Sequence, residues 1–187
     1  MKARVFVPRK LDVEAFARGA AVLQGEWPAA SLPRLAEAAA PEAPASGWPA
    51  VRWTLTGEKR EPRRGEEQLW LHLEAEATVS LTCQRCLQPV HEPLKFSRWF
   101  QFVQDEALAA SLDADSEDDV LVLTRALDAQ ELVEDELLLA LPLVPRHEVC
   151  PQPLPQPGAD FSDEEDEEAR PNPFAALAAL KGRGPAQ

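Results

Sequence analysis

The sequence predicts an α+β fold, in which an antiparallel sheet of four to five strands is covered by one long helix and smaller helices. From Leu69 to Leu81 apolar residues occupy every odd position, and from His72 onward polar residues occupy the even ones. This period is typical of a strand with one dry face. Between Asp128 and Pro142 apolar residues recur at helical spacing, which predicts the covering helix.

The composition changes abruptly after Cys150, where four alternating prolines precede Gly158 and a run of acidic residues at 163–168. Such a segment cannot form a core. The 187 residues suit one domain of about 100–150 residues with appendages. We therefore expect a single α+β domain over residues 1–150, a disordered acidic linker over 151–170 and a short C-terminal helical tail over 171–187.

The first fifty residues contain weaker patterns. Residues 5–8 are predicted to form a short strand, and Leu11 and Phe16 lie on one face of a small helix. A second helix is predicted after Ser31, which can act as its N-cap. Pro41 ends this helix because proline cannot continue the hydrogen-bond pattern.

Three further segments complete the predicted sheet. Residues 51–56 alternate between apolar and polar side chains, and 57–65 form a charged turn. An extended pattern resumes over 94–102, and 120–123 is a compact apolar run that fits another strand. Between them, residues 105–119 are acidic and predict a surface excursion with a short helix.

The covering helix has a clear start and stop. Asp128 followed by Glu131 resembles a capping box, and Pro142 ends the helix. The three consecutive carboxylates at 134–136 diverge by about 100° each around a helix and cannot converge on one reacting atom. They are predicted to form a solvated face.

The C-terminal segment has its own helical signature. Asn172 can cap a helix that has Pro173 at its first position. One face then carries Phe174, Leu177 and Leu180. So short a helix needs a docking surface, so these three residues are candidates for partner binding.

The chain has 32 acidic and 19 basic residues and a net charge of −13. This field disfavours phosphate backbones and favours a basic protein partner, although acidic charge also simply maintains solubility. No signal-peptide pattern or membrane-length apolar run is present. The chain has three cysteines, and this odd number does not suit a disulfide framework. We therefore expect a cytoplasmic location.

The most informative motif is the pair Cys83 and Cys86, whose spacing allows both thiolates to bind one tetrahedral ion. His147 and Cys150 form a second pair with the same spacing and would complete a site for one structural zinc ion. Two unbound reduced thiols are the main alternative, and His91 is a further candidate ligand. Thiol redox chemistry is disfavoured, because the pair lies between strands and does not open a helix.

No Ser/His/Asp grouping, phosphate-binding glycine loop or H-E-x-x-H motif is present in the sequence. A set of three cysteines and one histidine is closed and structural, whereas a metallohydrolase needs an open coordination position. The chain is therefore predicted not to be an enzyme.

Direct RNA binding is the competing function. Four residues around the cysteine pair could supply charge and stacking on one local patch: Arg85, Lys95, Arg98 and Trp99. Ordinary strand packing is the alternative explanation of these side chains.

Three segments together identify a family: residues 81–87, with the C-x-R-C motif, residues 133–142, with V-E-D-E and a closing proline, and residues 171–177, with P-N-P-F. In segment order the chain resembles the YceD family over about residues 1–181. The resemblance implies a role in synthesis, processing or stability of large-subunit ribosomal RNA. Combined with the acidic charge, it favours a non-enzymatic accessory factor in ribosome assembly, whose partner is a basic ribosomal protein or an assembly factor of the large subunit.

Overall fold

The structure is a computed structural model, and it describes residues 5–62 and 67–151. Within these residues five strands form one sheet in the order β1-β2-β3-β4-β5. The strands are Val22–Trp27 (β1), Val51–Arg60 (β2), Gln68–Thr82 (β3), Pro89–Val103 (β4) and Asp119–Val122 (β5). The α-helices are Val13–Arg18 (α1), Pro33–Glu37 (α2), Glu106–Asp113 (α3) and Ala129–Leu139 (α4).

The long β3–β4 hairpin is the centre of the sheet. The odd positions of β3 are buried, and Leu71, Leu73 and Val79 have no exposed area, which confirms the predicted alternation. We call this side the inner face and the opposite side the outer face. The inner face packs against α1, α2 and α4 to form the main core.

The sheet is mixed, so the prediction of a purely antiparallel sheet was wrong. β4 and β5 run parallel, with Phe100 opposite Asp119. α3 makes the crossover between them, and a small apolar cluster of Val103, Ala109 and Val120 joins α3 to β5. A parallel pair needs such a crossover because the chain must return in the same direction.

The prediction of one long covering helix is not confirmed. α4 has 11 residues, about three turns, and it shares the inner face with two shorter helices. Its start is as predicted, because the carboxylate of Asp128 accepts hydrogen bonds from the backbone N–H of Gln130 at 2.9 Å and of Glu131 at 3.3 Å.

Two carboxylates of α4 are buried, so the prediction of a solvated face was wrong for them. Glu134 is 5% exposed and accepts hydrogen bonds from the backbone N–H of Arg34 at 2.7 Å and of Leu35 at 3.1 Å. It thereby caps α2 from a position 100 residues away. Glu136 is 7% exposed and lies 3.6 Å from Arg98. Burial raises the pKa of Glu136, although the positive charge of Arg98 opposes the shift.

The N-terminal half departs from prediction in three places. Residues 8–10 form a 3₁₀ turn, and no strand is found at residues 5–8 of the described chain. β1 was not predicted, and β2 continues through Arg60 where a turn was expected. Gly57 allows this continuation, because a Cβ there would lie 2.7 Å from the backbone of Phe16 in α1. The predicted helices near Phe16 and after Ser31 are present. The prediction of Ser31 as N-cap was wrong, because Leu32 holds the N-cap position of α2 and the Ser31 hydroxyl donates to the carbonyl of Pro28 at 2.7 Å.

Spatial contacts divide the chain into Met1–Gln152 and Pro153–Gln187. The predicted linker and C-terminal helix, including Phe174, Leu177 and Leu180, lie outside the described residues and stay predictions. None of the helices in residues 5–62 and 67–151 is long and apolar enough to cross a membrane.

Candidate metal centre

The turn between β3 and β4, residues 83–88, forms a compact loop that we call the knuckle. The Cys83 N–H donates to the carbonyl of Gln88 at 3.0 Å, and the Leu87 N–H donates to the carbonyl of Cys83 at 2.9 Å. Leu87 has a φ of 60°, in the left-handed region that usually favours glycine. The knuckle therefore places two cysteines at one end of the sheet at some cost in backbone strain.

The segment after α4 returns to the knuckle. The Gln84 N–H donates to the carbonyl of Pro145 at 2.9 Å. The Nε2 atom of His147 lies 3.1 Å from the carbonyl of Pro89, the first residue of β4. These two contacts bring residues 145–150 against the cysteine pair, a closure that the spacing in sequence does not itself provide.

The structure brings together all four residues predicted as metal ligands. One donor atom each from Cys83, Cys86, His147 and Cys150 lies within 4.8 Å of every other. Cys83 is fully buried, and the other three side chains are half-buried. In a tetrahedral site with Zn–S distances of 2.3 Å, the ligand atoms lie about 3.8 Å apart. Small side-chain rotations would therefore suffice to hold an ion with three sulfur ligands and one nitrogen.

The hydrogen bonding of His147 suits a metal ligand. With its proton on Nε2, the ring donates to the Pro89 carbonyl and leaves the Nδ1 lone pair free. That Nδ1 atom lies 3.4 Å from the Sγ of Cys86, inside the cluster. Ligating histidines usually donate their second nitrogen to a carbonyl or carboxylate in this way.

The thiols of the cluster are electrostatically unequal. Burial opposes ionisation of Cys83. This effect is outweighed by backbone hydrogen bonds from Cys86, His147 and Arg85 and by a hydrogen bond from the His147 side chain. Together they lower the pKa of Cys83 to about 5. Burial and the neighbouring sulfurs of Cys86 and Cys83 raise the pKa of Cys150. Thiolate is the form that binds metal, and a bound cation would favour thiolate at Cys150 as well.

His91, the further candidate ligand, lies outside the cluster. Its Nδ1 atom is 2.7 Å from the hydroxyl of Ser80 on the neighbouring strand. The donor atoms that lie together are those of Cys83, Cys86, His147 and Cys150.

The four residues suggested for RNA binding do not share one surface. Arg98 and Trp99 are consecutive in β4 and point to opposite faces of the sheet. Arg98 faces Glu136, and Lys95 is 2.8 Å from Glu76 on the outer face. The ring of Trp99 stacks on His72 at 4.4 Å and has the guanidinium of Arg60 over it at 4.4 Å. Arg85 stands apart, exposed on the knuckle.

The sheet also carries a cavity of about 540 Å³ that is lined by residues of β1, β2, β3 and β4. Its charged residues include Arg52 and Lys95, which both pair with Glu76 at 2.9 and 2.8 Å. It has no cysteine or histidine among its lining residues. The metal-ligand chemistry therefore lies elsewhere, at the knuckle.

The sequence analysis missed several residues around the cluster. Arg146 is exposed beside His147, and Leu87 and Val149 are exposed apolar neighbours of two cysteines. Their position next to the candidate ligands was the feature of the sequence that could have pointed to them. Apolar residues that flank a metal-binding motif need not be buried in the core.

The chain is similar to known proteins over the region that contains the cluster. A family model described as "Large ribosomal RNA subunit accumulation protein YceD" matches residues 71–181, which include the whole cluster. The protein named "Large ribosomal RNA subunit accumulation protein YceD" from Haemophilus influenzae is 37% identical over 105 residues. That alignment covers 55% of this chain and 60% of the relative, so the chain matches less than two thirds of the relative's length. No solved structure matches.

Proposed function

This chain belongs to the YceD family, and we propose that it is a non-enzymatic accessory factor for the accumulation of large-subunit ribosomal RNA, acting in ribosome assembly. The family match over residues 71–181 carries this proposal. It spans most of β3, all of β4 and α4, and the four clustered residues, so the part of the fold that holds the knuckle is the part shared with the family.

The cluster supports a structural zinc site as the organising element of this factor. Cys83, Cys86, His147 and Cys150 would fill all four tetrahedral positions, and such a closed set leaves no position for a substrate or an activated water. Zinc would supply cross-linking of the knuckle to the segment after α4. This chemistry agrees with a scaffold and gives no support to hydrolysis.

The net charge of −13 favours a basic partner, which in this setting is a ribosomal protein or an assembly factor of the large subunit. Phe174, Leu177 and Leu180 supply the proposed apolar contact of the tail. A role in ribosome assembly would place the protein in the cytoplasm.

Depletion tests the role directly. In cells that lack the chain, we expect large-subunit ribosomal RNA to fall relative to small-subunit RNA and to recover with the wild-type gene. Wild-type protein should also co-purify with large-subunit precursors. An unchanged RNA ratio together with no association would refute the proposed function.

The metal is tested by elemental analysis of purified protein, with His147→Ala compared with the matched variant His91→Ala. We expect about one zinc per wild-type chain, retention in His91→Ala, and loss from His147→Ala during dialysis against a weak chelator. Equal zinc content in the two variants would show that His147 is not a ligand.

Direct RNA binding through the knuckle remains the alternative function, and it has less support. Of the four residues suggested for it, Arg85 alone is on the knuckle, while Lys95 and Arg98 already face carboxylates. RNA binding that is abolished by changing Arg85 and Trp99 would favour this alternative.

A further inference from the structure

β1 is an edge strand of the sheet, and β2 is its one neighbour among the described residues. The N–H of Gly57 donates to the carbonyl of Ala21 at 2.9 Å, immediately before β1 begins. The backbone groups of an antiparallel strand point alternately toward and away from its neighbour. The N–H and C=O groups of Val22, Gln24 and Glu26 therefore point away from β2, and we call these three residues the open edge.

The open edge lacks the features that usually protect an edge strand from further pairing. Lysine, proline and bulges serve this purpose in many sheets, whereas β1 has neither residue type and pairs with β2 in an unbroken register. Its outward N–H groups have no hydrogen-bond partner in residues 5–62 and 67–151. At the opposite edge of the sheet, the N–H of Val120 in β5 donates to the carboxylate of Asp113 at 3.3 Å. β1 is therefore the less protected of the two edges.

The cavity of about 540 Å³ on the sheet adjoins the open edge, because Gln24 and Glu26 are among its lining residues. The two cations of its lining both pair with one carboxylate, that of Glu76. Glu26 and Glu74 also line the cavity, and within the described ranges neither has a cation at ion-pair distance. Two unneutralised carboxylates thus lie beside a row of unpaired backbone groups.

The inner side of β1 is apolar and incompletely covered. Leu23 and Trp27 pack against the main core but remain half-buried, and the ring of Trp27 stacks on that of Trp53 at 4.5 Å. An added strand places successive side chains on alternate faces of a sheet. One set would cover Leu23 and Trp27, and the other set would lie beside Gln24 and Glu26 on the outer face.

From the open edge and these carboxylates, we propose that β1 binds an extended segment of a basic partner protein, in which lysine or arginine alternates with apolar residues. Main-chain hydrogen bonds to the open edge would supply affinity, and a basic side chain in the cavity would supply specificity. This inference rests on the basic partner of the proposed function, and it adds the surface that holds that partner.

Two other occupants fit this surface less well. β1 of a second copy can pair with the open edge, but it brings Glu26 and no basic side chain, so the carboxylates of the cavity stay unneutralised. RNA has no peptide backbone that extends a sheet, and carboxylates repel its phosphates. An extended basic segment satisfies both the backbone groups and the charges.

Binding of two synthetic peptides to the full chain tests the proposal. One alternates lysine with valine over about eight residues, slightly more than a typical strand, and the other alternates glutamate with valine. In heteronuclear NMR spectra, the lysine peptide should shift the amide resonances of Val22, Gln24 and Glu26 and slow their hydrogen exchange. The glutamate peptide should leave these amides unchanged.

Gln24→Pro is the most direct variant, because proline removes an outward N–H and leaves the hydrogen bonds between β1 and β2 in place. It should weaken binding of the lysine peptide by about fivefold to tenfold. Gln24→Ala keeps the N–H and is the matched control. Glu74→Gln should weaken binding by about twofold to fivefold, whereas Asp115→Asn, at an exposed carboxylate outside the cavity, should not. Circular dichroism should be unchanged in all four variants.

Several outcomes would overturn the proposal. These are absence of the amide shifts with the lysine peptide, equal binding by Gln24→Pro and Gln24→Ala, and equal binding of the two peptides. Concentration-dependent shifts of the same amides without peptide would assign the edge to a second copy, and shifts caused by an RNA oligonucleotide would assign it to RNA. In cells that lack the chain, full recovery of ribosomal RNA with Gln24→Pro would overturn the use of this edge and leave the proposed function intact.

Discussion

The sheet and the knuckle are held together by different kinds of interaction. The inner face of β3 and β4 is stabilised by burial of many aliphatic and aromatic side chains, which needs no particular direction of contact. The knuckle depends on a few directed contacts, those of Gln84 with Pro145 and of His147 with Pro89, and on a cluster that suits an ion. The sheet should keep its structure when one contact is lost, because its stabilising contacts are numerous. The knuckle should lose its ordered conformation when one ligand is taken away.

The largest effect is expected in the sheet. Phe100 is 2% exposed near the C-terminal end of β4, and Phe100→Ala should lower the free energy of unfolding by about 3–5 kcal/mol. Urea unfolding measures this. The control is Leu139→Ala at a 77% exposed position, which should stay within about 0.5 kcal/mol of wild type. A small loss at Phe100 would mean that the sheet does not depend on its buried core.

Removal of the proposed zinc ion should act on the knuckle. With free zinc at a hundred times the dissociation constant, binding stabilises the native state by about 2.7 kcal/mol, and a strong chelator should remove this stabilisation. Hydrogen exchange should then quicken in residues 83–89 and 143–150 while the amides of β3 remain protected. Simultaneous loss of protection in β3 would show that the two regions are one cooperative unit.

A substitution at Leu87 is expected to stabilise the fold, by less than the losses predicted for Phe100→Ala and for removal of the ion. Its left-handed conformation is unfavourable for a residue with a Cβ, so Leu87→Gly should stabilise the fold by about 1 kcal/mol and raise Tm by about 2–4 °C. Leu87→Ala keeps the Cβ and should not stabilise. Equal Tm values for the two variants would indicate that the backbone is not strained.

The smallest effect is expected at Glu136, whose pKa is raised by burial. Folding favours its protonated form, so this contribution is fully present below the unfolded pKa of about 4.3 and is lost as the pH rises through the folded pKa. Glu136→Gln should therefore raise Tm at pH 7, although loss of the attraction to Arg98 reduces the increase. The increase in Tm should become smaller toward pH 4. A gain at pH 4 as large as at pH 7 would contradict the burial argument.

The sequence predicted the features that local patterns determine. The strict alternation of β3 placed Leu71 and Leu73 inside, and the spacing of the two Cys and His pairs selected four residues that the fold brings together. β1 has no clean alternation, since Val22 is exposed and Gly25 has no side chain. Alternation also carries no information on strand direction, so the parallel pairing of β5 was not foreseen.

Long-range partners explain the remaining differences. Glu134 appeared to be a surface carboxylate because its hydrogen-bond donors, Arg34 and Leu35, precede it by about 100 residues. The family resemblance, predicted over about residues 1–181, was confirmed over residues 71–181.

The wide separation between the two halves of the cluster also sets an order of events during synthesis. Cys86 and His147 are 61 residues apart, and the chain between them contains β4, α3, β5 and α4. A nascent chain can present the first cysteine pair early, but the ion site cannot be completed until residue 150 has emerged. A cross-link that closes a loop of this length lowers the conformational entropy of the unfolded chain, which corresponds to a free energy of about 4 kcal/mol. An ion bound there would therefore stabilise the C-terminal half of the domain only after that half has been fully synthesised.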